Sequence, residues 1–227
     1  YCNFHFSTSL KKKEEMIAAL ILEIELRKAE IQNEIIETIY FGGGTPSVLS
    51  VNEIQLLLDA IYKNHAVIDH PEITLEANPD DLSEVKIIEL SKSPINRLSI
   101  GIQSFFEKDL KLMNRAHNAQ EARESLSIAT RYFDNISVDL IYGVPDCTDQ
   151  EWCENIKITL SFGVSHISSY ALTVEPETAL ERFIEKGVIK NVDEDKAEAQ
   201  FNILIDELTK ANFIHYETSN FGKENFF

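Results

Sequence analysis

The chain has 227 residues, with 21 Lys+Arg against 38 Asp+Glu and a formal charge of −17. That is the size of one domain with a real core, and it lacks the basic surface a phosphate-backbone binder needs, which argues against nucleic acid. No apolar run approaches the ~18 residues of a membrane span, and three cysteines, Cys2, Cys147 and Cys153, make no disulfide framework and fit a reducing cytoplasm.

Helices and strands alternate along the chain. A long amphipathic helix is predicted over residues 12–33, then a short β-branched strand over 35–41 (IIETIYF) running straight into Gly42-Gly43-Gly44. Ser50-x-x-Glu53 is a capping box, in which side chains satisfy the orphan amides of a helix start; it opens a helix to about residue 65. A second strand is predicted over 72–77 (EITLEA), a helix near 83–91, and a third strand over 97–103 (RLSIGIQ). Helices near 107–113 and 121–133 follow, the second capped by Asn118-x-x-Glu121. A fourth strand is expected over 136–142 (ISVDLIY), a helix from the Thr148-x-x-Glu151 box to about 160, and a fifth strand over 165–172. Helices near 178–186 and 193–211 precede a weak last strand over 213–217. Strand, helix and strand in repeated succession specify βαβ units and a parallel sheet, open or closed.

The unusual residues gather after the strands. Only 8 glycines occur, yet three are consecutive at Gly42–Gly44. Three in a row cost backbone entropy that a plain turn avoids, which favours close approach of a ligand to bare backbone over a mere tight turn. The run is neither a phosphate-binding Gly-Lys-Ser/Thr loop nor G-x-G-x-x-G. Pro46, Pro79, Pro145 and Pro176, with Thr45, Asn78, Asp80 and Asp146 beside them, also follow strands, at the end of a parallel sheet where ligands bind. Glu76 and Gln103 end their strands, and Asp139 interrupts an apolar one, where a carboxylate is costly unless it is paired or faces a polar cavity. Singly each reads as solvated polarity; together they point to a site. Arg115-Ala116-His117 supplies a cation for a carboxylate or phosphate or lies on the surface. His166 in HISSY reads as a satisfied core or cavity side chain, and Cys147 and Cys153 as structural.

These residues belong to motifs that resemble a known family. YCNF at 1–4, YFGGGTPS at 40–47, EANP at 76–79 and RLSIGIQSF at 97–105 come in its order and spacing. NRAH at 114–117, VDLIYGVP at 138–145, HISSYALTVEP at 166–176 and HYETSNF at 215–221 continue it. Together they resemble the radical S-adenosylmethionine family of oxygen-independent coproporphyrinogen III oxidase and its haem-chaperone (HemW-type) relatives. The resemblance implies a partial, incomplete TIM-like βα-barrel carrying a four-iron–four-sulfur cluster on a C-x-x-x-C-x-x-C loop. One-electron reduction of S-adenosylmethionine at the cluster then gives methionine and a 5′-deoxyadenosyl radical. By motif position Cys2 is the third cluster ligand, and Gly43, Gly44 and Thr45 contact the methionine part of the cofactor. Glu76, Gln103 and Asp139 hydrogen-bond its amino or ribose groups, and Arg115 pairs with its carboxylate.

The chain starts at Tyr1 without Met or a signal-peptide pattern and is read as a piece, residues 1–227 being a radical SAM core truncated at both ends. The family's first strand, two further cluster cysteines and smaller C-terminal domain are expected beyond it, and this stretch alone is not expected to hold the cluster. The oxidase branch carries another Cys two residues past the third ligand; Phe4 stands there, which resembles the chaperone branch. That branch binds haem and passes it to acceptor haemoproteins, whereas the oxidase decarboxylates the propionates of a porphyrinogen. A third reading, a βα-barrel enzyme for a phosphorylated metabolite, uses the glycine turn alone.

Overall fold

A computed structural model describes residues 9–31 and 34–226. Among them the chain forms α1 (Lys13–Leu26), β1 (Ile36–Phe41), α2 (Val51–Asn64), β2 (Val67–Ala77), α3 (Glu84–Ser91), β3 (Arg97–Gln103), α4 (Glu107–Leu112) and α5 (Ala119–Ala129). These are followed by β4 (Ile136–Tyr142), α6 (Asp149–Ser161), β5 (His166–Ala171), α7 (Ala179–Glu185), α8 (Glu194–Lys210), β6 (Ile214–Glu217) and β7 (Asn220–Gly222). The sheet order is β1-β2-β3-β4-β5-β7-β6, with β1 to β5 parallel and the last two strands antiparallel to their neighbours. It curls into a half-barrel, the incomplete TIM-like form expected.

Alternation along the strands sorts the two faces. Ile73, Leu75, Leu98, Ile100, Val138 and Leu140 point outward and pack under the helices against Ile54, Leu58, Ile87, Leu90, Leu126, Trp152 and Ile156, all in one buried cluster. The residues between them face the concave side and are mostly polar. In register they run Glu76–Ser99–Ser137–His166 across four strands, with Asp139–Ser168 as the next step. All three predicted capping boxes form, with reciprocal bonds at Ser50/Glu53, Asn118/Glu121 and Thr148/Glu151.

Three expectations need correction. The first helix ends at Leu26 and gives way to a 3-10 turn over Lys28–Ile31. Its apolar residues do not gather on one face: Ile17 is buried while Met16, Leu22 and Leu26 are exposed. Strand β2 starts at Val67 instead of residue 72, because Val67 pairs with Ile36 before a register shift. The weak last strand is one arm of a hairpin whose other arm, β7, returns onto β5.

Candidate functional site

The site grows from the C-terminal ends of β1 to β4. Gly43 has φ +86°, a conformation open to glycine at little cost, and its N–H donates to Glu76 Oε2 at 3.2 Å. Tyr40 Oη donates to the other oxygen, Oε1, at 3.0 Å. Glu76 therefore holds strand end and turn together, and burial and the Glu76 charge both raise the Tyr40 pKa. A Cβ on Gly42 would sit 2.8 Å from the Tyr40 ring and 3.1 Å from Glu76 Oε1. At Gly43 and Gly44 it would meet no heavy atom of the described residues within 4 Å. One glycine is required by packing, and two leave bare backbone facing open space.

The turn is fastened to the next loop. Ser47 Oγ donates to Asp81 Oδ2 at 2.6 Å and accepts from the Asn78 N–H at 3.3 Å. Asn78 Oδ1 in turn accepts from Arg115 Nη2 at 2.6 Å, and the same nitrogen donates to Gly101 O at 3.2 Å. Gly101 has no room for a side chain: a Cβ would lie 2.9 Å from Gln103 Nε2 and 3.3 Å from Arg115 Nη2. Gln103 itself is buried with φ +65°, rare for a residue with a side chain.

Asp139 completes the arc. Its carboxylate accepts from Ser99 Oγ at 3.3 Å, and burial, reinforced by the nearby Glu76 charge, pushes its pKa up to about 7. Deeper in the concave face, His166 Nδ1 meets Ser137 Oγ at 2.7 Å and its Nε2 meets Tyr216 Oη at 2.8 Å. Burial draws its pKa down to about 4, which keeps the ring neutral.

Six of the predicted site residues thus lie in the turn after β1 (Gly43, Gly44, Thr45) or on β2 to β4 (Glu76, Gln103, Asp139), and Arg115 comes from the loop after α4. Gly43 and Glu76 touch directly. The side-chain nitrogens of Arg115 and Gln103 both lie beside Gly101, and Ser47 binds the backbone amide of Asn78, whose side chain Arg115 holds. Thr45 leads into the 3-10 turn Pro46–Val48. Cys2 lies outside the described residues. Among those that are described, no cluster of three or more His, Cys, Asp or Glu is arranged to hold a metal, and no helix is long and apolar enough to cross a membrane.

Residues 1–158 match the Radical SAM superfamily. The chain belongs to that superfamily. It is 35% identical over 231 residues to the heme chaperone HemW of Buchnera aphidicola, which covers all of this chain and 60% of that protein. It is 32% identical over 230 residues to HemW of Escherichia coli, with the same coverage. The coproporphyrinogen III oxidase HemN of Escherichia coli, a radical SAM enzyme, superimposes with a TM-score of 0.85 at 23% identity, over 99% of this chain and 52% of that one; this likeness speaks to the fold. The chain spans about half to 60% of the length of the curated relatives it matches.

Membership of the radical SAM superfamily implies a four-iron–four-sulfur cluster and S-adenosylmethionine. The strand-end arc fits the second of these on its own chemistry. It joins open glycine backbone, a guanidinium and two carboxylates, one of them poorly solvated, which suits a zwitterion that also carries hydroxyls. Two further members of the arc, Tyr40 and Ser99, are not among the residues the sequence patterns single out. Both lie on the concave alternation of their strands, Ser99 directly opposite Glu76 in register, so period-two counting back from the strand ends would have found them.

Proposed function

We propose that the chain is the radical SAM core of a haem chaperone, a protein that binds haem and delivers it to acceptor haemoproteins. The observation that carries this is the Gly43–Glu76 and Arg115–Asn78 frame, formed in a chain about one-third identical along its whole length to HemW proteins. In this reading Gly43, Gly44 and Thr45 receive the methionine end of S-adenosylmethionine. Arg115 pairs with its carboxylate, and Glu76, Gln103 and Asp139 bind its amino and ribose groups, while Cys2 is one ligand of the cluster. When bound, the cluster and S-adenosylmethionine supply one-electron radical chemistry.

What these residues do follows from their setting. Glu76 is already oriented by Tyr40 and the Gly43 amide, so little side-chain entropy remains to be lost on binding. Burial raises the Asp139 carboxyl toward neutral pH, so it can serve as donor or acceptor to a hydroxyl. Two free thiols, Cys147 and Cys153, support a reducing compartment, the cytoplasm.

The oxidase reading is the alternative. Titrating the anaerobically reconstituted whole protein with haem, and separately incubating it with coproporphyrinogen III, separates the two. Tight haem binding without decarboxylated product is the expected result, and decarboxylation would overturn it.

A further inference from the structure

The end of β3 is held in an unusual way. Ile102 O accepts the Ser104 N–H at 2.8 Å, closing a three-residue γ-turn about Gln103, whose φ of +65° makes it the rarer, strained form. The same carbonyl accepts a second bond, from His117 Nε2 at 3.1 Å. A carbonyl only accepts, so Nε2 carries the proton and Nδ1 a lone pair. That lone pair has no hydrogen-bond partner among the described residues, the nearest Asp80 oxygen standing off at 3.9 Å. The imidazole is fully buried, so it forgoes solvation at one nitrogen to hold one backbone carbonyl with the other. Two residues earlier, Arg115 takes the preceding carbonyl, Gly101 O. The turn Arg115-Ala116-His117 thus grips two successive carbonyls of β3, in the stretch where the β3–β4 ladder slips between Ile100 and Gln103.

We propose that His117 is a positioning residue: it fixes the strained turn at Gln103 and so holds the Gln103 amide beside Gly101 in the geometry that receives the nucleoside ligand. This rests on the reading of the strand-end arc as the S-adenosylmethionine site. His117 touches no ligand in this role. It acts by keeping Gln103 where relaxation of a positive-φ residue would otherwise move it.

The test measures S-adenosylmethionine affinity calorimetrically on the reconstituted whole protein, well below each variant's melting temperature. His117→Leu is expected to weaken binding about tenfold, the scale of one lost hydrogen bond in the frame. His117→Gln, which places an amide nitrogen where Nε2 sits, is expected to restore most of it. In a Gln103→Ala background His117→Leu should add little, since the side chain it positions is gone. Should the leucine variant not fold, the pair His117→Gln and His117→Asn decides, because Asn places its nitrogen at the Nδ1 position and is expected to lose affinity where Gln keeps it. Wild-type affinity in His117→Leu, or an equal loss in the Gln103→Ala background, overturns the role. If neither Gln103→Ala nor Arg115→Ala weakens binding, the error lies in the site reading, and the role of His117 falls with it.

Discussion

The Tyr40 hydroxyl donates to Glu76 Oε1 at 3.0 Å, from one strand to the next, while the other oxygen of the same carboxylate receives the Gly43 amide. A carboxylate held at both oxygens does not wander, and the glycine turn inherits its position. Gly42 belongs to this arrangement because the Tyr40 ring occupies the space a methyl group would need.

Gly42→Ala should therefore push the Tyr40 ring aside and break its bond to Glu76. Overpacking of this kind costs about 1–3 kcal/mol, and the exposure of Tyr40 puts the expectation at the low end. Thermal melts in a Tyr40→Ala background check the cause: with the ring removed, the penalty for Gly42→Ala should largely disappear.

Gly101→Ala separates affinity from stability. The new methyl group would meet the far ends of two side chains, Gln103 Nε2 and Arg115 Nη2, and these can move without unfolding the sheet. The melting temperature should fall by only a few degrees, about 2–4 °C per kcal/mol for a domain of this size. Binding of S-adenosylmethionine by the reconstituted protein should weaken at least tenfold.

Asp139 gives a pH signature. Burial lifts its carboxyl to about 7, against about 3.9 in an unfolded chain, so between those values the folded state binds more protons. Its favourable contribution is full below about pH 4 and is lost as pH rises to 7. Asp139→Asn, always uncharged, should melt higher than the wild type at pH 8 and close to it at pH 4. An equal difference at both pH values would show that charge burial is not the cause.

Much of this was legible in the residues alone. Ser50, Asn118 and Thr148 announce their helices, because capping is a local matter of side chain and amide within one turn. Likewise a carboxylate such as Asp139 in an apolar strand marks a polar cavity wherever the strand ends up. Partnerships made across the sheet were not visible. Nothing near Arg115 says that it will reach Asn78, 37 residues away, and nothing in RLSIGIQ says that Gln103 will take a positive φ. The face of α1 that packs is set the same way: Ile17 is buried while Met16, Leu22 and Leu26 stay exposed, and periodicity alone does not decide which apolar residues find a partner. The hairpin of β6 and β7 is short, and its pairing with β5 is decided by tertiary contacts such as Ser168 Oγ to Asn220 Oδ1 at 2.8 Å.

The most direct test is calorimetric titration of S-adenosylmethionine into the anaerobically reconstituted whole protein, comparing wild type with Glu76→Gln and Arg115→Ala. Each substitution removes a charged partner of the ligand, and a charge-assisted bond is worth about 1.5–3 kcal/mol, so each variant should bind roughly 10- to 100-fold more weakly while remaining folded at the temperature of the titration. Unaltered affinity in both variants would contradict the assignment of the strand-end arc as the cofactor site.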